Sequence, residues 1–286
     1  MPLYVNFNQS SISSQRTLDN VQRQLSMSQQ NLSSGFRINK SADDAAGLQI
    51  SERLRSTLRG TLKAQDNVQD GINVLGIVDG ALGQITENLQ RMRELSVQAG
   101  NDTLGANQRT AIMDELLQLQ QDITRISDST SFNGISLLNG SQTNFYIQLG
   151  PGSTATNDVI NLATVAGATN PFADIDATAL SVASANLTVA TNGAALTTIA
   201  LLDTAITTVG QRRSIVGALS NRLQGALTNL QINYENTGAS EARIRNVDVS
   251  RETTKLSSFQ ILQQAGISML SQSNQSASSA LSLLRG

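Results

Sequence analysis

The sequence predicts a mainly α-helical protein, in which the N- and C-terminal arms form a long helical rod or coiled-coil bundle with a small β-hairpin and a short irregular insert. The chain has only three prolines, Pro2, Pro151 and Pro171, so residues 3–150 and 172–286 lack the residue that most strongly breaks helices. Apolar residues recur at helical spacing in both proline-free segments. The stretch 151–193 between them is rich in Ala, Thr, Ser, Asn and Gly and has weak periodicity.

The N-terminal arm predicts two helices. In the first, Leu18, Val21, Leu25 and Leu32 fall on one face, and Ser28 fills the missing step. SADD (41–44) is typical of a helix start, with Ser41 as N-cap and acidic residues in the first turn. The second helix carries a longer apolar stripe, which consists of Val68, Ile72, Leu75, Leu82, Ile85, Leu89 and Met92. Gly100 and Asn101 are expected to end it.

Close glycines occur in GIVDGALG (76–83), inside the stripe of the second helix. A phosphate-binding loop would need a following Lys-Ser/Thr, which is missing here. The glycines are therefore interpreted as sites of close helix packing.

The middle of the chain changes character after a third helix. Apolar residues spaced by 4, 3, 4 and 3 indicate a coiled-coil seam made of Ile112, Leu116, Leu119, Ile123 and Ile126. FNGISLLNG (132–140) and NFYIQLG (144–150) break this period and carry turn residues, which favours a β-hairpin. Residues 151–194 are expected to form a short, dispensable surface insert. The helical pattern then returns in Ile199, Leu202, Ile206, Val209, Val216, Leu219, Leu223 and Leu230.

Both ends of the chain are free of charge, over residues 1–15 and 256–284, which suggests that they meet. The C-terminal stretch carries large apolar side chains but neither the length of apolar sequence needed to span a bilayer nor the Lys and Arg of a helix that lies on one. We therefore expect it to be buried in an assembly. The residues expected to drive that assembly are Leu256, Phe259, Leu262, Met269, Leu270, Leu281 and Leu284.

Composition excludes several function classes. A net charge of −2 and a pI of about 5.2 give no basic surface for nucleic acid. The absence of His and Cys excludes Ser-His-Asp and Cys-His sites as well as an HExxH zinc site. No catalytic, metal or cofactor-binding residue is therefore predicted, and no cofactor. MPLYVNFNQSS lacks the features of a secretory signal, and no membrane partner is expected.

Several segments resemble bacterial flagellin. The strongest is SSGFRINKSADDAAGLQISERLRS (33–56), followed in order by LQRMRELSVQAGN (89–101), FNGISLLNG (132–140), VGALSNRL (216–223) and QILQQAGISMLSQSNQ…LSLLRG (260–286). The resemblance covers about 1–150 and 195–286. Phe36 departs from it, since flagellins more often have Leu there.

The resemblance implies a structural subunit, not an enzyme, which polymerises into the flagellar filament used for swimming. It implies an extracellular location, reached through the flagellar type III apparatus. It also implies an inner helical core made of 1–43 and 246–286, a helical rod made of 44–150 and 195–245, and the variable insert 151–194. A hook–filament junction protein of the same architecture is the alternative. The second class is an enzyme, since some flagellins carry a metalloprotease insert, but that insert needs an HExxH motif and this chain has no histidine. The third class is a membrane-active or binding module.

The partners implied by the resemblance are further copies of the chain, an export chaperone that binds the C-terminus, hook-associated and cap proteins, and a host flagellin-sensing Toll-like receptor. The receptor would bind a surface that also serves axial packing in the filament, at Arg91, Leu95 and Glu115. Because helical residues advance by about 100°, Leu95 is expected roughly 90° off the core stripe and exposed beside Arg91.

Overall fold

The computed structural model describes residues 8–164 and 170–285, without the side chains of Ala155 and 276–285. The chain is mainly α-helical, as predicted. In this part of the chain the elements are α1 (Gln9–Ser34), α2 (Ala45–Ala99), α3 (Ala106–Ser129), β1 (Ser131–Phe132), β2 (Ile135–Ser136), β3 (Tyr146–Gln148), α4 (Ala155–Asp158), β4 (Val159–Asn161), α5 (Asn192–Arg245) and α6 (Val249–Arg285).

The chain divides into two compact units. Unit 1 joins the residues up to Ser56 with those from Asn236 onward, and unit 2 comprises Thr57–Glu235. Both α2 and α5 run through the two units. The first turns of α2, up to Ser56, and the last turns of α5, from Asn236, belong to unit 1.

In unit 1 the start of α2 differs from the prediction. Ser41 does not cap the helix, which begins four residues later at Ala45. The Asp44 carboxylate accepts a hydrogen bond from the amide of Gly47 at 2.9 Å and so caps the first turn. The Asp43 carboxylate binds the turn before the helix, accepting from the amides of Asn39 and Lys40 at 3.0 and 2.8 Å.

The core of unit 2 is built mainly from α2, α3 and α5. Most residues of the apolar stripes predicted for these helices are buried, and α2 ends at Ala99, as Gly100 and Asn101 indicate. The half-buried members of the stripes are Ile72, Leu119, Ile126, Ile199 and Ile206. Fully buried examples are Val68, Leu82, Ile85, Leu89 and Met92 on α2, Leu116 and Ile123 on α3, and Leu202, Val209 and Leu223 on α5.

One helix, α5, is long and apolar enough to cross a membrane when judged only by length and composition. Its apolar residues include Leu202, Val209 and Leu223, which are buried in the core of unit 2. The buried Arg212 lies on the same helix.

The strands form two small antiparallel hairpins. In the first, Phe132 pairs with Ile135 through a turn in which Asn133 and Gly134 have φ of 49° and 78°, as a two-residue hairpin turn requires. In the second, β3 pairs with β4, and Ile147 lies opposite Ile160. The predicted small β-hairpin is thus present at 131–136, while 144–150 supplies β3, which pairs with β4.

The insert is more than a surface segment. Between 170 and 189 it buries Phe172, Ile175, Ala177, Leu180, Val182, Leu187 and Val189 in the core of unit 2. The Arg212 guanidinium of α5 donates to the carbonyls of Ala173 and Asp174 at 2.6 and 2.9 Å, and burial lowers the pKa of Arg212. Weak periodicity hid this role, because irregular backbone buries side chains without a repeating spacing.

The glycines of α2 have different surroundings. A Cβ added at Gly76, Gly80 or Gly83 would meet no atom of the chain within 4 Å, so close packing within the chain was the wrong interpretation of GIVDGALG. A Cβ at Gly60 would lie only 2.6 Å from Cβ of Pro151. Gly47 and Gly71 of α2 also have close neighbours, but these are side-chain atoms of Asp44, Ile38, Leu223 and Ile147, whereas the neighbour of Gly60 is the rigid ring of Pro151.

Candidate assembly surfaces

The first candidate surface is built on the pairing of α1 with α6, which brings the two ends of the chain together. As residue numbers rise along α1 they fall along α6, so the helices are antiparallel. Hydrogen bonds along the pair show this register. Ser11 Oγ donates to Asn274 Oδ1 at 3.0 Å, and Gln263 Nε2 donates to Gln22 Oε1 at 2.5 Å. Near the other end of α1, Ser28 Oγ donates to the carbonyl of Glu252 at 3.4 Å.

The seam between these helices is narrow and partly polar. On α1 it buries Val21, Leu25 and Ser28. A Cβ added at Gly266 would stand 3.2 Å from Cδ1 of Leu18, so the glycine allows α6 to approach α1 closely here. Three predicted assembly residues, Leu256, Phe259 and Leu270, are half-buried on α6.

The opposite face of α6 exposes apolar side chains. Ile261, Leu262 and Met269 are 67%, 51% and 63% exposed. At about 100° per residue, these three lie within roughly 100° of one another. Ile261, Leu262 and Met269 are about 170°, 90° and 110° from the centre of the seam formed by Leu256, Phe259 and Leu270. We call this the outer face of α6. The predicted residues Leu262 and Met269 belong to it, whereas the side chains of Leu281 and Leu284 lie outside the described residues.

The outer side of α1 has a different chemistry. Its charged residues, Arg16, Asp19 and Arg23, are all exposed and lie within about 60° of one another, on the side away from Val21. The helix pair therefore presents a charged strip on α1 and an uncharged apolar face on α6.

The second candidate surface lies on unit 2. Arg91 on α2 and Glu115 on α3 are both exposed and form an ion pair, with Nη2 2.9 Å from Oε1. The hydrogen bonds to Glu115 and then to Glu94 raise the pKa of Arg91. Arg91 and Glu115, which the resemblance assigns to one surface, are thus in contact.

Leu95 does not join that surface, because it is only 2% exposed. Its neighbours Met92, Ser96 and Ala99 are also buried, so the buried arc of α2 is wider here than the single stripe seen in the sequence. The expectation of an exposed leucine beside Arg91 was wrong.

Two further contacts, which the sequence does not predict, join distant parts of the chain. Arg93 on α2 forms an ion pair with Asp203 on α5, with 2.6 Å between Nε and Oδ1. Phe36 lies near two arginines from other elements, Arg55 and Arg245. A single charged residue on an exposed helix face does not show in the sequence which residue it pairs with. The aromatic residue at position 36, in contrast, stands out in the sequence as a departure from the flagellin resemblance.

Within 8–164 and 170–285, no three Asp or Glu residues are grouped so that they could hold a metal ion. The surfaces described above are suited to contacts with other protein chains.

Comparison with known proteins gives consistent matches at both ends. Residues 5–143 match the family described as the bacterial flagellin N-terminal helical region, and residues 199–284 match the bacterial flagellin C-terminal helical region. The chain is similar to a flagellin of Halalkalibacterium halodurans, with 37% identity over 283 residues, which cover 99% of this chain and 100% of that protein. It is also similar to the flagellar filament 33 kDa core protein of Treponema phagedenis, with 36% identity over 289 residues and the same coverage.

Among solved structures, the crystal structure of Bacillus cereus flagellin is similar, with 35% sequence identity and a TM-score of 0.48. The match covers 58% of this chain and 88% of that one.

Proposed function

This chain belongs to the bacterial flagellin family and is a structural subunit of the flagellar filament, and we propose that it polymerises through the outer face of α6. The similar protein of Treponema phagedenis is named as a filament core protein, and nothing in these relatives favours a hook–filament junction protein. The observation that carries the proposal is the exposure of Ile261, Leu262 and Met269 on a helix without charge between 256 and 284.

Each unassembled copy leaves the apolar side chains of the outer face of α6 in water. Burying apolar surface contributes about 25 cal/mol per Å², and the gain recurs in every subunit of a polymer. An unpaired carboxylate introduced into such an interface is destabilising by several kcal/mol, and this cost also recurs. The outer face of α6 should therefore tolerate apolar changes and reject charge.

Electron microscopy after seeding tests the proposal. Deleting 256–286 should leave a soluble, mostly helical monomer that forms no filaments. Leu262→Asp should also abolish polymerisation. Asn20→Asp is a matched control, because it adds the same charge at an exposed position of α1 beside Arg23. Filaments of normal length from Leu262→Asp would refute the role of the outer face.

The same face supports a second proposal, that an export chaperone holds the C-terminus before assembly. Unassembled chains expose Leu262 and Met269, and a chaperone that covers them prevents aggregation. Titration calorimetry with the flagellar export chaperone of the same organism and a peptide of residues 246–286 should detect binding. The proposal is wrong if no heat of binding is found while the chaperone binds another flagellin of that organism.

We further propose that the chain is exported through the flagellar type III apparatus to an extracellular filament, whose ends contact hook-associated and cap proteins. Family membership supports this route, since the filament lies outside the cell. In a strain without a functional export apparatus, the chain should remain in the cell fraction. Its recovery from the medium at wild-type levels would contradict the proposal.

A host flagellin-sensing Toll-like receptor is proposed to bind the monomer at the Arg91–Glu115 ion pair, a surface that also serves axial packing in the filament. Arg91→Ala should reduce signalling in a reporter-cell assay. Arg125→Ala is the control, since Arg125 is an exposed α3 arginine that is also ion-paired, with Asp122. Equal signalling by the two folded variants would refute the site. Leu95→Ala is unsuitable as a test, because Leu95 is buried.

We also propose that the chain has no enzymatic activity. The absence of His and Cys supports this proposal, since both residue types are common nucleophiles, bases or metal ligands. Hydrolase activity that co-purifies with filaments and is abolished by a point change in this chain would overturn it.

A further inference from the structure

Unit 1 contains a place where the chain crosses itself outside the helices. Residues 35–38 lead from α1 towards α2, and residues 245–247 lead from α5 to α6. The two segments pair as a short antiparallel bridge, because the Arg37 amide donates to the Arg245 carbonyl at 2.7 Å and the Val247 amide donates to the Gly35 carbonyl at 3.0 Å. We call this pairing the crossing.

An aromatic ring lies at the centre of the crossing. The guanidinium carbons of Arg245 and Arg55 are 4.9 and 5.8 Å from the centroid of the Phe36 ring, within the distance at which a cation is attracted by the ring face. The Nε of Arg245 is buried and has no hydrogen-bond acceptor among the described residues. The ring therefore compensates a cation that has lost part of its hydration.

Two carboxylates hold the arginines at the ring. Glu52 on α2 accepts a hydrogen bond from Arg245 Nη1, and its carboxylate is 3.7 Å from Arg55 Nη1. Glu241 on α5 is 3.6 Å from Arg55 Nη2. Two positive and two negative groups thus balance around one ring, so the arginines stay near it despite their mutual repulsion.

We propose that Phe36, through Arg55 and Arg245, is a positioning residue that locks the crossing and so fixes the direction in which α1 and α6 leave the ends of α2 and α5. The ring is contributed by the α1–α2 connection, Arg55 by α2 and Arg245 by α5, so one contact joins all three. The consequence for the filament rests on the proposed polymerisation, because copies that share one interface must also share this direction. Leucine is also apolar but offers no ring face to a cation.

Hydrogen–deuterium exchange of assembled filaments tests the lock. Phe36→Leu should exchange the amides of Arg37 and Val247 about 2- to 30-fold faster, the range expected for losing a cation–π contact. Phe36→Tyr keeps the ring and should exchange like wild type. Phe132→Leu, which removes a half-buried ring from unit 2, should leave both amides unchanged.

A second comparison separates the ring's charge interaction from its bulk. If Phe36 acts through Arg245, Phe36→Leu should have little further effect in an Arg245→Gln background. Equal exchange of Phe36→Leu and wild type, or fully additive effects in the double variant, would overturn the lock. If wild type forms no filaments, the polymerisation proposal fails, and the same exchange comparison on the monomer still decides the lock.

Discussion

Gly60 offers a direct test of the packing in unit 2, because Gly60→Ala should not give the stabilisation that a change from glycine to alanine usually gives in a helix. In a helix interior, alanine is about 1 kcal/mol more favourable than glycine. At Gly60, however, the new Cβ would lie 2.6 Å from Cβ and 3.3 Å from Cα of Pro151. That is about 1 Å inside the optimal separation of two carbon atoms, and overpacking against a rigid ring costs about 1–3 kcal/mol.

Gly80→Ala is the matched control, since Gly80 lies in the same helix and its added Cβ would meet nothing within 4 Å. Gly80→Ala should raise the melting temperature of the monomer by about 2–4 °C, the change that 1 kcal/mol gives in a domain of this size. Gly60→Ala should leave the melting temperature unchanged or lower it by up to about 8 °C. Pro151→Gly removes the contacting Cβ and should recover most of the difference in a double-mutant cycle followed by circular dichroism. The reasoning is refuted if Gly60→Ala and Gly80→Ala raise the melting temperature equally.

The remaining predictions concern the core, the insert and the seam. Leu95→Ala should lower the free energy of unfolding by about 2–5 kcal/mol, because it opens a cavity, whereas Arg91→Ala should cost less than about 1 kcal/mol; equal losses in urea unfolding would contradict the burial of Leu95. Deleting 153–192 with a short linker should give an unstable monomer with lost near-ultraviolet dichroism, because it uncovers the core; a deletion variant that melts like wild type would restore the idea of a dispensable insert. Burial raises the pKa of Glu252, but hydrogen bonds from Lys255, Ser28 and Asn31 lower it by more, so the pKa of Glu252 in the folded protein lies below its usual value. The Glu252 carboxylate therefore stabilises the seam above about pH 4.3, and this stabilisation is lost as the pH falls through its folded pKa. The melting temperature of Glu252→Gln filaments should fall less on acidification than that of wild-type filaments; the same pH profile for both would exclude this role of Glu252.

The sequence predicted the parts of the fold that repeat. Leu82, Ile85 and Leu89 recur at helical spacing and are buried, and Gly100 follows the last residue of α2. Periodicity reports one side of one helix, however, and gives no measure of how wide its buried arc is. This is why Leu95 was placed on the surface.

Contacts between segments far apart in the chain were harder to predict. The core residues of the insert, such as Phe172, lie in irregular backbone, where no spacing distinguishes a buried residue from an exposed one. Partner choice between strands depends on tertiary position, so the pairing of β3 with β4 was missed. For the assembly residues, the absence of charge located the helix, but only the structure separated Leu270 in the seam from Leu262 on the outer face.

The antiparallel pairing of α1 with α6 affects the order in which the contacts of this chain form during folding. The hydrogen bonds across the seam join residues 224 to 265 positions apart, such as Ser28 with Glu252 and Asn8 with Ser273. Closing so long a loop carries a large entropic cost, and such distant contacts form late in folding. α1 therefore cannot complete this pairing until α6 has been synthesised. A chain that ends before α6 leaves Val21 and Leu25 of α1 without the helix that buries them here.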